Sequence, residues 1–475
     1  VIFTSFEYAG FLLAVVALNW ALPTRLRPPL LLAASFWFYA SWSRPALGIL
    51  AAVCALTWAI GLAIPGVGGR ARALLTATGV VVAGGSLGVF KLLEAVGVEA
   101  GDTGLAAKFV VPVGLSFFSF QAISYLVDVH RGEIEPRRSI IDVSLYLSFF
   151  PHLLAGPIVR ARKLIPAFHS TPRTPDAVQW SEAAELVLVG TFKKVAVADP
   201  LIGLCVDAVA HPGSIGPAHA LVALVGVLVG AYFDITGYID IARGSAKFLG
   251  IDMQRNALVP LTRSTGYADF WRRWQLTVMM WFRDYVYRPL RGRSHHAVRD
   301  HLALFGTFFA LGVWHGFTVG WALWGVASGL IIIAERARQT RRAARRRAQT
   351  RQARKAGKRS MLPKPPNPWL SLATALVLVM ATFPLVIGKD LADIGRLYGA
   401  LARWHGTTPS ADLLWMTGLA IVATILLDGR EQRREACAGH PDPVTPARAV
   451  AFGLMVLGVI VFSGPAPKTF LYFAF

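Results

Sequence analysis

Apolar runs of membrane-spanning or near-spanning length recur from residues 6–22 to residues 449–462, with short, mostly arginine-bearing segments between them. A chain built this way has no means of covering its hydrocarbon from water. In a bilayer core, by contrast, every backbone polar group must be satisfied internally, which leaves only helices and closed barrels. The runs are continuous rather than alternating, so helices are the expectation. Composition agrees: at 55% hydrophobic, 16% charged and a mean hydropathy of +0.51, the 475 residues lie outside the range of an ordinary soluble domain. The fold class expected is an all-α polytopic membrane protein.

The expected spans are residues 6–22, 29–39, 47–64, 74–96, 109–127, 140–154, 183–209, 219–241, 302–313, 321–334, 370–387, 413–427 and 449–462. Some are short enough to need tilt or cover from a neighbour, so roughly eleven to thirteen membrane helices are anticipated. The first run has no charged leader and no small-residue cleavage site, and is expected to be a retained span. Arg25 and Arg27 follow the first run, Arg70 and Arg72 the third, and Arg131, Arg137 and Arg138 the fifth, whereas Glu94, Glu99 and Asp102 surround the end of the fourth. The excess of arginine on alternate loops predicts an N-terminus outside a cell membrane. The loops are too short for a second folded domain, so residues 1–475 are read as one membrane domain.

The net charge of +21 would suggest nucleic acid in a soluble protein. Here the basic residues lie between apolar runs, as at a cytoplasmic membrane face, so no nucleic-acid partner is expected and membrane lipid is. Cys54, Cys205 and Cys437 share no metal-ligand spacing, so no metal site is expected. No phosphate-cradling glycine–lysine motif supports ATP-driven transport. A secondary transporter calls for paired repeats with broken helices, and no second copy of the central motifs is found. Asp234 and Asp240 lie in an apolar run, where acids are expected to pair across helices.

Two stretches interrupt the pattern. Residues 251–293 mix aromatic, charged and apolar side chains, which predicts short re-entrant or interfacial helices covered by protein. Residues 336–359 carry twelve Lys/Arg and no acid, ahead of Pro363, Pro365, Pro366 and Pro368. This predicts a flexible cytoplasmic loop, 336–368, near anionic headgroups.

The richest chemistry lies between Gly266 and Gly325. Asp269, Arg272, Arg273, Gln275, Arg283, Asp284 and Arg288 stand among tryptophans and tyrosines, and His315 follows inside an apolar run, flanked by Trp314 and Gly316. Ionisable groups at membrane depth are functional candidates. A histidine in an apolar wall is available as a neutral base, because burial disfavours its charged form. Its structural alternative is a hydrogen bond between helices.

Six separated stretches carry a family resemblance: Pro112 to Val129, Phe149 to Arg160, Phe192 to Asp199, Tyr232 to Asp240, the Phe270-Trp-Arg-Arg-Trp box and the Trp314-His-Gly box. In order and spacing they resemble the membrane-bound O-acyltransferase (MBOAT) family, in its alginate O-acetylation and teichoic-acid D-alanylation branch. The ending, Phe470 to Phe475, is similar too. The resemblance implies helices around a funnel, with a cytoplasmic acyl thioester (acyl-CoA or acyl carrier protein) as co-substrate rather than a resident cofactor. It further implies a hydroxyl acceptor on an exported glycan or cell-envelope molecule, an extracytoplasmic acyltransferase partner, and His315 as catalytic base.

One position departs from that pattern. Where the family usually has a histidine after Phe-Trp-Arg-Arg-Trp, this chain has Gln275, whose amide cannot carry a proton charge. Either Gln275 keeps the hydrogen-bonding part of the role while His315 is the sole base, or the chain is a catalytically silent conduit feeding a separate transferase. Arg272, Arg273 and Arg283, with Trp274, are candidates for binding the donor's phosphates, and interfacial anchoring accounts for them equally. His295 and Asp300 mimic the histidine–aspartate patterns of other acyltransferases but fall in a basic loop, outside that context.

Overall fold

In the computed structural model, the structure describes residues 2–95, 112–154, 156–256, 261–293, 296–355, 367–388, 390–403, 405–436 and 445–464. Cys437, His295, Glu99, Asp102 and the ending 470–475 lie outside them. Among the described residues the secondary structure is helical, with one isolated bridge between Ile215 and Thr407.

The first helices are α1 (Phe6–Ala21), α2 (Arg27–Trp42), α3 (Arg44–Ala63) and α4 (Gly69–Ala95). Ser5 and Ser43 cap α1 and α3 by accepting from the amides of Tyr8 and Ala46. Prolines in the first turns of α2 and α3 occupy positions where a missing N–H removes no helix bond. Next come α5 (Leu115–Arg131), α6 (Ile140–Ser148) and α7 (Ala161–His169). α8 (Ala177–Phe192) and α9 (Asp199–Ala210) are joined by a π-helical turn, Lys193–Ala198, and both pack along α10 (Pro217–Phe248).

Short helices follow: α11 (Tyr267–Trp274), α12 (Leu276–Phe282), a second π-helical turn over Arg283–Tyr287, and α13 (Arg288–Arg291). The hairpin of α14 (Ala297–His315) and α15 (Val319–Lys355) comes next, then α16 (Pro368–Ile387), α17 (Leu391–Ala402), α18 (Ala411–Ala436) and α19 (Pro446–Phe462).

Among the described residues, five helices are long and apolar enough to cross a membrane, α3, α4, α10, α15 and α16, and shorter apolar helices include α1 and α19. Large apolar side chains such as Leu74, Trp369, Trp415 and Ile460 face outward. A lipid-facing wall needs such a surface; a water-facing one does not.

Two expectations are corrected and a third is refined. The 140–154 run ends as helix at Ser148, and the segment after it turns through the interior. Its backbone is satisfied there by side chains: the Phe150 amide donates to Ser35 Oγ at 3.1 Å and the Ile158 amide to Thr277 Oγ1 at 3.1 Å. Irregular backbone at membrane depth is tolerated on that condition.

The span expected over 183–209 is helical throughout, as α8, the π-helical turn and α9 in succession, and the π-turn, which was not anticipated, turns two lysines toward acids on α10. Lys194 pairs with Asp234 at 2.6 Å and with Asp199 at 2.7 Å, and Lys193 pairs with Asp240 at 2.6 Å. Finally, the basic stretch expected as a flexible loop is helical up to Lys355, as the end of α15. It holds no glycine or proline before that point and is rich in Arg, Ala and Gln, all good helix formers. α7 and α17 were not anticipated.

Candidate active site

α11 is fixed at its start by two acids. Asp269 accepts from the Thr265 amide at 3.0 Å and from Arg273 Nε at 3.0 Å, and it also pairs with Arg272. Burial opposes ionisation of Asp269. The Thr265 amide and the two guanidiniums outweigh it and hold the carboxyl below its ordinary range. Glu335, on α15, accepts from the Ala268 amide at 3.0 Å, one of the donors left open in the first turn. Gly266 makes room for this contact: a Cβ there would lie 2.0 Å from a Glu335 carboxylate oxygen. Two turns earlier on α15, Ser328 meets the Tyr267 hydroxyl at 2.7 Å.

α11 ends at Gln275, whose backbone (φ −138°, ψ 75°) leaves the helical region and turns the chain into α12. The side chains of Trp271, Trp274 and Gln275 thereby line a cavity of about 100 Å³. His315, the last residue of α14, lines the same cavity, with Trp321 and Trp324 from the first turns of α15. α10 supplies Val227, Ala231 and Ile235, and α16 supplies Phe383 and Val386.

His315 is held by aromatic rings on two sides. Trp321 stacks on it with centroids 4.4 Å apart and planes at 13°, and Trp314 lies 4.4 Å away at 49°. Trp324 stands perpendicular to it at 6.2 Å and 88°. The close approach of Trp321 depends on Gly312, where a Cβ would lie 2.4 Å from the Trp321 carbonyl oxygen. Behind the site, Lys91 on α4 donates to the His315 carbonyl.

Gln275 and His315, predicted from separate boxes, therefore share one cavity, and Trp274 lines it with them. Arg272, Arg273 and Arg283 do not line it: the first two are turned to Asp269, and Arg283 pairs with Asp284 at 2.9 Å. Asp284 also receives Arg160 at 3.2 Å and Arg288 at 3.1 Å. Burial raises and these arginines lower its affinity for a proton; the arginines prevail, and the carboxyl sits below its ordinary range. Asp300, the acid of the look-alike motif, is engaged by Arg291 and Arg336.

The walls contributed by α10, α16, Trp321 and Trp324, and the grip of Lys91, were missed in the sequence. Only the tryptophan pair carried a signal, since a spacing of three puts both on one helix face.

Comparison with known proteins gives the chain its family. Residues 110–359 match the model of MBOAT, the membrane-bound O-acyltransferase family. The chain is 32% identical over 435 residues to the "Probable alginate O-acetylase AlgI" of Azotobacter vinelandii, covering 88% of this chain and 81% of that one. It is 28% identical over 260 residues to the "Peptidoglycan O-acetyltransferase" of Helicobacter pylori, 48% of each chain. It is 23% identical over 239 residues to the "Teichoic acid D-alanyltransferase" of Bacillus subtilis, 46% of this chain and 58% of that one. The chain belongs to the membrane-bound O-acyltransferase family and is a membrane O-acyltransferase.

Proposed function

We propose that this protein moves an acyl group, acetyl in the first instance, from a cytoplasmic thioester towards a hydroxyl on an exported glycan or cell-envelope molecule, with His315 as general base. The observation that carries the reading is the shared cavity: Gln275 at the end of α11 and His315 at the end of α14 face one apolar enclosure. The alginate, peptidoglycan and teichoic-acid names of its relatives support an envelope acceptor.

His315 takes the acceptor proton as the oxygen attacks the acyl carbon, and returns it to the departing thiolate. The aromatic walls exclude the water that would hydrolyse the thioester. Gln275 keeps the hydrogen-bonding part of the usual histidine's role and orients the acyl carbonyl or the acceptor hydroxyl.

The donor is acyl-coenzyme A or an acyl carrier protein, held transiently. An extracytoplasmic acyltransferase completes delivery to the polymer. Alternation of basic loops supports an N-terminus outside the cell membrane and the arginine-rich end of α15 in the cytoplasm. One-sided reporters at the N-terminus and at Thr350 test that orientation.

Labelled acetyl-coenzyme A supplied to membrane vesicles, with transfer into envelope acceptors read at matched protein abundance, tests the chemistry. His315→Ala should lose about two to four orders of magnitude in rate. Gln275→Ala should lose less, and Gln275→His should be tolerated. Full activity in His315→Ala would reject the base and move the chain to the role of a silent conduit, the reading that Gln275 in place of the usual histidine favours.

A further inference from the structure

We infer that the α10 wall of the cavity, Val227, Ala231 and Ile235, sets which acyl group this protein transfers: a short, uncharged one, acetyl or propionyl. Longer chains and acyl groups bearing an ammonium are excluded. The inference rests on the acyl-transfer reading of the cavity.

The occupant follows from the lining. Apart from Gln275, His315 and the four tryptophans, the described side chains around the cavity are apolar, and none is an acid. Hydroxyls buried without partners are costly, so the hydroxyl-rich body of a glycan does not belong there; the acyl group of the donor does. An ammonium on that group would be a buried charge with nothing to pair with. Asp234, next to Ile235 in sequence, is 0% exposed and is committed to Lys194.

The room sets the length. A dry cavity of about 150 Å³ accepts a benzene ring, so in proportion one of about 100 Å³ holds about four carbon-sized atoms. An acetyl group brings three such atoms and a propionyl group four, whereas hexanoyl brings seven.

The α10 wall meets the occupant and does not retreat from it. Val227, Ala231 and Ile235 recur every fourth residue, along one face of the helix, and all three line the cavity. Each keeps open surface, whereas Leu228, Gly230, Tyr232 and Asp234 between them are buried. Behind this face α10 is packed to backbone distance. A Cβ at Gly230 would lie 2.7 Å from Ile202 Cγ1 on α9, and one at Gly237 would lie 2.8 Å from the Gly190 carbonyl oxygen on α8. A close-packed interior of this kind does not give way to an extra methylene without strain.

The test measures transfer from acetyl-, propionyl-, butyryl- and hexanoyl-coenzyme A in vesicles and compares kcat/KM ratios, which a general loss of folded protein leaves unmoved. Each methylene beyond the fit should cost about 10-fold or more. Ile235→Ala, which deepens the wall, should raise the hexanoyl-to-acetyl ratio about 10-fold, and Ala231→Leu, which fills it, should lower the propionyl-to-acetyl ratio about 10-fold. Glycyl-coenzyme A matches propionyl in shape and carries an ammonium at about pH 6.5, below the usual α-amino range. It should be used about 100-fold less well than propionyl at that pH. Hexanoyl transferred by the wild type as well as acetyl, or ratios unmoved in both wall variants, would overturn the inference, and glycyl used as well as propionyl would overturn its charge half. An active His315→Ala protein would mark failure of the underlying reading; an inactive one beside unmoved ratios in the wall variants would mark failure of this inference alone.

Discussion

The Nζ of Lys91, on α4, donates a 2.7 Å hydrogen bond to the main-chain carbonyl of His315, 224 residues away in the sequence. The carbonyl belongs to the last turn of α14, where carbonyls have no helical partner and the helix dipole is negative. A cation there fixes the turn that carries the imidazole. Lys91→Met should therefore lower kcat about 10- to 100-fold, as a small misplacement of a reacting group does, with donor KM little changed. Lys91→Arg should recover part of the rate. Methionine fills similar volume without a buried charge, so membrane abundance should hold; transfer kinetics of the two variants check this.

Gly312 lets α14 and α15 touch. Adding a side chain there meets the Trp321 carbonyl, with the first atom 2.4 Å away. Gly312→Val should separate the helices, lift Trp321 off His315, and cost about 1–3 kcal/mol through overpacking. Thermal unfolding of the detergent-solubilised variant should shift down, and transfer should fall further than the stability loss alone explains.

The acid anchor of α11 gives a pH dependence with a defined sign. The Asp269 carboxyl lies below its ordinary value in the fold, so its stabilisation is complete above the unfolded value, about 3.9, and fades as pH falls through the lowered one. Asp269→Asn should destabilise the protein by about 2–3 kcal/mol near neutrality, since it weakens hydrogen bonds between charged partners. The gap in unfolding temperature between wild type and variant should be widest at pH 7 and should shrink progressively as pH falls below about 4.

Lys194 and Asp234, 1% and 0% exposed, form an ion pair at the π-turn. Removing one partner leaves a charge short of compensation inside the bundle, a change that typically costs about 3–5 kcal/mol. Asp199, 2.7 Å from Lys194, softens the loss in Asp234→Leu, so Lys194→Met, which removes the cation that both acids face, should be the worse variant. Membrane abundance of the two variants and of the double replacement should rank Lys194→Met lowest and the double above it.

Much of this fold was legible because hydrocarbon leaves the chain little choice. Residues 368–387 and 446–462 could hardly be anything but helices, and both are. The errors fell where polar groups decide. The π-turn at Lys193–Ala198 follows from lysines finding acids on α10, a tertiary fact without a local signal. The basic stretch before Lys355 looked like a loop because charge was weighed above the helix propensity of arginine and alanine. At the site, His315 and Gln275 could be found because each ends a distinctive aromatic box. Lys91 could not, since a lone lysine in an apolar run does not reveal which carbonyl it will reach. Nor could Phe383 and Val386, ordinary apolar residues until α16 is placed beside α11.

α15 is one unbroken helix of 37 residues, a rod of about 55 Å. Trp321 and Trp324 at its start face His315, Ser328 and Glu335 hold α11, and Arg336 reaches Asp300 near the start of α14. The two halves of the cavity are thus registered against a single ruler. Motions of the outer helices can pass without altering the gap between Gln275 and His315, whereas bending α15 between Trp324 and Glu335 would change it at once.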